Sequence, residues 1–106
     1  MRLSRVGAAA VACAAVALAT APFAAAAPSD DFLDLIADDG ISWAPEDTPA
    51  VIDTGHAVCT DWDNGASFSK EVADLQSVTD WTDGQIGTFI GAATGAFCPE
   101  YRYKLG

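Results

Sequence analysis

Positive charge is scarce in this chain. Five Lys and Arg stand against fifteen Asp and Glu, and His56 is the sole histidine. Arg2 and Arg5 lie at the N-terminus, so only Lys70, Arg102 and Lys104 serve residues 27–106, where all fifteen acids fall. Three bases against fifteen acids give that span a formal charge of −12. A surface of that sign repels phosphate backbones and anionic headgroups, which excludes nucleic-acid binding and docking on anionic lipid. The acids are spread along the chain and not gathered in one tail, as for a solvated surface.

Metal-ligating and nucleophilic groupings are equally thin. The three cysteines, Cys13, Cys59 and Cys98, form no Cys-x-x-Cys pair, and one histidine cannot complete a zinc set. No metal site and no cofactor is expected. A lone histidine also needs a placed partner before it can activate a nucleophile. Ser67, Ser69 and Ser77 are available, but no nucleophile-elbow motif sets any of them beside His56. A surface or hydrogen-bonded packing role is expected for His56, and no catalytic residue is assigned. There is no internal repeat and no strand-like alternation of useful length.

The N-terminal segment has the pattern of a secretory leader. Arg2 and Arg5 supply the positive start, Val6 to Ala21 is an almost unbroken Ala/Val/Leu run, and Ala24-Ala25-Ala26 fits the small-x-small cleavage pattern. Cleavage after Ala26 removes residues 1–26 and leaves 27–106 as one domain. A retained anchor needs about 20 strongly apolar residues, whereas this run is Ala-rich and interrupted by Pro22. No stable membrane anchor is expected after cleavage, and the location is extracellular or in the cell envelope. Acylation at Cys13 is the competing reading, but Ala10-Val11-Ala12 lacks the large aliphatic residue expected three places before the cysteine.

The residues that remain read as helices. Ser29 followed by Asp30 and Asp31 suggests a helix start, after an Ala27-Pro28 arm, and Phe32, Leu35 and Ile36 give helical spacing over about 30–39. Gly40 ends it, with Ile41 placed for a C-cap contact. Thr48-Pro49 reads as N-cap and first helical residue, followed by the stripe Val51, Gly55, Val58, Cys59 and Trp62. Gly55 in mid-stripe costs about 1 kcal/mol against Ala unless a neighbour must approach closely. Ser67 caps a third helix carrying Phe68, Val72 and Leu75, with Val78 and Trp81 in the connection that follows. Thr82-Asp83-Gly84-Gln85 has capping-box spacing before Ile86, Phe89, Ile90, Ala93 and Phe97, the clearest amphipathic stripe. Cys98-Pro99 closes it, and Glu100 to Gly106 reads as a short tail. The fold class is all-α, a small bundle of about four helices.

Two cysteines survive cleavage into an oxidising compartment, so Cys59–Cys98 is the parsimonious disulfide. A ring of about 40 residues stabilises by roughly 4 kcal/mol in the chain-entropy model, useful in a domain too small for a large core.

Asp61-Trp62-Asp63-Asn64-Gly65 begins like a calcium loop. Its glycine falls at loop position 5 where 6 is required, and position 12 is Val72 with Glu71 one place early. Only adventitious calcium binding through Asp61 and Asp63 fits that pattern. Asp30, Asp31, Asp34, Asp38 and Asp39 read as a solvated face, not as paired carboxylates of a glycosidase. Three tryptophans are many for this size. Trp62 lies on a stripe and is expected in the core. Trp43 and Trp81 lie in connections and are the candidates for a recognition surface.

Phe32-Leu33, Gly40-Ile41, Gly55-His56-x-Val58-Cys59, Gly65-x-Ser67 and Phe97-Cys98-Pro99-Glu100-Tyr101 together resemble a family of small secreted actinobacterial, chiefly mycobacterial, proteins known as domain of unknown function 732. The resemblance runs from about Asp30 to Tyr101, with Trp62 where the family usually has leucine. It implies a secreted, disulfide-tied helical domain and carries no activity with it. The resulting expectation is a non-catalytic interaction module with a protein partner. The alternative is a carrier of a small apolar ligand between helices, with Gly55, Gly87 and Gly91 leaving room. An uncharacterised hydrolase comes third.

Overall fold

The most apolar stripe of the sequence becomes the centre of the molecule. A computed structural model describes residues 27–106; the leader expected over 1–26, with Cys13, lies outside the described residues. The chain forms α1 (Pro28–Asp38), α2 (Thr48–Asp63), α3 (Phe68–Val78) and α4 (Asp83–Phe97). Two 3₁₀ helices, Pro45–Asp47 and Pro99–Leu105, complete it, and no strand occurs among the described residues. The all-α, four-helix expectation holds. No described helix is long and apolar enough to cross a membrane.

Helix α4 packs against α1, α2, α3 and the C-terminal 3₁₀ helix. Ile86, Phe89, Ile90 and Ala93 on it are fully buried, and each large side chain contributes roughly 1.5–3 kcal/mol of burial. Phe32 of α1 meets Phe89 edge-on and Phe97 at a tilt, both with ring centroids 5.2 Å apart. Gly55 of α2 faces this cluster. A Cβ there would lie 2.9 Å from both Phe32 Cζ and Phe97 Cε2, so glycine is required by close approach.

The helix ends show how far local sequence decides structure. Gly40 and Gly65 both take positive φ, at 85° and 87°. Each completes a Schellman closure, with Ile41 N–H on Ile36 C=O and Ala66 N–H on Asp61 C=O. Ser67 Oγ accepts from Lys70 N–H at 3.1 Å. Thr82 and Gln85 exchange both bonds of the capping box, at 3.0 and 3.1 Å.

Three local expectations need correction. Helix α1 starts at Pro28, before the expected 30, and its N-cap is Ala27 instead of Ser29, because proline's fixed φ suits a first helical residue and Ala27 C=O accepts from Asp30 and Asp31. Thr48 is not the cap of α2 but its first residue. The preceding 3₁₀ turn leads straight in, and Thr48 Oγ1 accepts from Trp43 Nε1 at 3.0 Å instead. The C-terminal tail is a 3₁₀ helix folded back on the domain. Tyr101 donates its hydroxyl to the Asp63 carboxylate, and Lys104 Nζ donates to Ala66 C=O at 2.8 Å while lying 5.4 Å over the Trp62 ring.

Cys59 and Cys98 lie at disulfide geometry with Cα atoms 6.0 Å apart, 39 residues apart in sequence. The bond ties α2 to the C-terminal end of α4, and Cys98 is buried.

Candidate functional site

Trp81 floors an apolar groove. Between α2, α3 and the start of α4, Ala50, Val51, Thr54, Leu75, Val78 and Phe89 join it around a cavity of about 240 Å³. The Trp81 ring is half-buried, 5.1 Å from that of Phe89, which fixes it against the core. Val78, expected in the connection, is the last residue of α3 and stands 75% exposed at the groove's edge. Val78 thereby extends the apolar surface of the groove outward, and contiguous apolar surface is what contact sites use.

Trp43 sits elsewhere. It lines a second depression with Ala37, Gly40, Ile41 and Ser42, and its indole N–H is held by Thr48. The two depressions share no lining residue, so Trp43 and Trp81 do not form one joint surface. Trp62 is buried as expected, and its Nε1 donates to Thr94 Oγ1 at 3.0 Å. Thr94 in turn donates to Ile90 C=O at 2.7 Å. Sequence reasoning misses Thr94. The signal is present, since a tryptophan placed in a core needs an acceptor, but which helix supplies it is a tertiary fact.

His56 is exposed and stacks on Phe97 with ring centroids 3.9 Å apart. Ser67 is spent on the α3 cap and Ser77 on Asp74 C=O, so neither is aligned with that imidazole. The room expected at Gly55 is filled by Phe32 and Phe97. A Cβ added at Gly87 or Gly91 would meet nothing within 4 Å, so these two leave space outside the core.

The pair Asp61 and Asp63, read together from sequence, is split. Asp63 turns to Tyr101, whose hydroxyl is pushed up to about 12, chiefly by that carboxylate hydrogen bond. Asp61 turns instead to Glu71 and Asp74 of α3. Glu71 is buried, and its carboxyl is pushed up to about 8, first by burial, then by a hydrogen bond to the Asp61 carboxyl and by the negative charge of Asp61 and Asp74, with Lys70 pulling the other way.

A family model described as "Protein of unknown function (DUF732)" matches residues 28–100, well over half the chain. The chain belongs to this family. The DUF732 match takes in all four α-helices, both disulfide cysteines, Trp43 and Trp81. It stops before Tyr101 and Lys104, so those tail contacts onto α2 fall outside the matched span. No curated protein and no solved structure matches the chain.

Proposed function

We propose that this DUF732 protein is a secreted or cell-envelope interaction module, non-catalytic, that receives an apolar side chain of a protein partner in the Trp81 groove. The observation that carries this reading is the groove itself: a rigid half-buried Trp81 as floor, an exposed Val78 at the edge, and apolar walls from two further helices. Buried aromatic anchors beside apolar rims are the usual places where contact energy concentrates. A formal charge of −12 over residues 27–106 steers cationic partners and repels acidic ones, so the partner is expected to be basic around its apolar anchor.

The alternative is a carrier of a small apolar ligand. In the Trp81 groove a volume of about 240 Å³ falls below the roughly 300–1,000 Å³ of pockets that bury a small molecule, and the Trp43 depression, at about 320 Å³, only reaches the bottom of that range. The space suits a side chain better than a free ligand.

Affinity capture separates the two. Oxidised protein is immobilised and exposed to secreted and envelope extracts, with Val78→Glu as the matched control. A protein retained by the wild type and lost from Val78→Glu supports the module. A co-purifying lipid or metabolite without a protein moves the carrier reading to the front.

A further inference from the structure

Asp61, Glu71 and Asp74 form a cluster of three carboxylates in which one oxygen from each lies within 4.8 Å of the others. Asp61 comes from the last turn of α2, Glu71 from the first turn of α3, and Asp74 from the next turn. Acidic clusters on a solvated surface are ordinary, and three exposed carboxylates would carry nothing. Glu71 is the difference. It is only 3% exposed, and no N–H or O–H of another group reaches its buried Oε2, so the Asp61 carboxyl pairs with it only while a proton lies between the two. A buried carboxyl oxygen left unpaired is costly, and a carboxyl facing two others has only two remedies, a retained proton or a bound cation.

We propose that Asp61, Glu71 and Asp74 form a binding site for one calcium ion. The donor set is all oxygen, without the nitrogen or sulfur that zinc and copper favour. Calcium takes oxygen ligands at about 2.3–2.6 Å, so ligands on opposite sides of one ion lie about 5 Å apart. Oxygens all within 4.8 Å of one another can share one such ion. Magnesium, at about 2.1 Å, needs a tighter and nearly ideal octahedron.

Two further features favour a cation here. Asp61 sits near the C-terminus of α2, where the helix dipole repels a carboxylate and attracts positive charge. Asp74 is held by Lys70 at 3.0 Å, but both side chains are more than half exposed. Such an exposed pair contributes little to stability, so Lys70 yields readily to a divalent ion. Exposure of Asp74 also leaves solvent access for the waters that complete a calcium shell. The site is distinct from the Trp81 groove and does not depend on its function. Calcium bound there would join α2 to α3 through side chains of the two helices, in contrast to a helix–loop–helix hand, whose loop supplies the ligands.

The test is calorimetric titration of the oxidised protein with calcium chloride, and separately with magnesium chloride, in chelator-treated buffer. One calcium ion per chain is expected, with Kd about 0.1–1 mM, as in weak sites of extracellular modules, and magnesium at least about tenfold weaker. Glu71→Gln and Asp74→Asn are each expected to weaken calcium by at least about tenfold, with circular dichroism showing both still helical. Asp74 is exposed, so its variant keeps the test open even if a change at Glu71 disturbs packing. No saturable calcium heat up to about 10 mM, equal magnesium binding, or unchanged binding in Asp74→Asn overturns the proposal.

Discussion

Gly55→Ala is the sharpest test of the packing. An alanine in mid-helix gains up to about 1 kcal/mol over glycine from backbone entropy, so helix propensity alone predicts a more stable protein. The structure predicts the opposite sign. The new methyl would meet Phe32 Cζ and Phe97 Cε2 at 2.9 Å and Phe32 Cε2 at 3.1 Å. Neither ring is free to retreat. Phe32 is fully buried against Phe89, and Phe97 is held between Phe32 and the stacked His56. Overpacking between two held rings falls in the upper part of the usual range, about 2–3 kcal/mol, which leaves a net loss of about 1–2 kcal/mol after the propensity gain. For a domain of this size that lowers Tm by roughly 5–15 °C. Gly87→Ala and Gly91→Ala are the internal controls, since a Cβ at either position meets nothing within 4 Å. Each is expected to gain about 0.5–1 kcal/mol. Thermal unfolding followed by circular dichroism reads all three, and a Gly55→Ala protein as stable as the wild type refutes the close approach of α2 to Phe32 and Phe97.

Three other outcomes are expected. Replacing both Cys59 and Cys98 by alanine is expected to cost about 4 kcal/mol, a large share of the roughly 4–12 kcal/mol available to a domain of this length; a urea midpoint equal to that of the oxidised wild type would contradict the tie. Thr94→Val strands Trp62 Nε1 in the core and is expected to cost about 1–3 kcal/mol, and much less when made in a Trp62→Phe background that has no donor to strand. Glu71 keeps its proton in the folded state up to about 8, while an unfolded glutamate releases it near 4.5. The native state therefore binds more protons across that window, and stability falls as pH rises from about 4.5 to 8. In calcium-free buffer Glu71→Gln is expected to flatten the fall and to be more stable than the wild type at pH 8 by about 1–3 kcal/mol; parallel pH profiles for the two proteins would exclude this assignment.

Much of the fold is legible in the sequence because its signals are local. Gly40, Ser67 and the Thr82–Gln85 box each act within a few residues, and each ends or begins a helix where expected. The α4 stripe is equally readable, since apolar residues at helical spacing need only a partner face. Thr48 and the tail mislead for the same reason in reverse. Thr48 has the composition of a cap, but Trp43 takes its hydroxyl, and the 3₁₀ helix Pro99–Leu105 is held by Asp63 and Ala66, both more than thirty residues away. The position of Trp81 in a connection marks it as a candidate surface, but the groove around it is made by three helices converging and has no sequence signature. Glu71 leaves a trace that is easily missed: it falls one turn before Leu75 on the apolar face of α3, where an acid needs a reason. Its closeness to Asp61 depends on the Gly65 turn that brings α3 back along α2.

Partner affinity measured on surface variants tests most directly whether binding runs through the Trp81 groove. Val78→Glu and Ala50→Glu place charge at the groove edge on exposed positions, and Leu35→Glu places it on an exposed apolar residue of α1 outside the groove lining. With a captured partner, the two groove variants are expected to weaken binding at least about thirtyfold, the scale of a hot-spot loss, with Leu35→Glu near wild type. Unchanged affinity in both groove variants, or loss in Leu35→Glu alone, would place the contact elsewhere on the molecule.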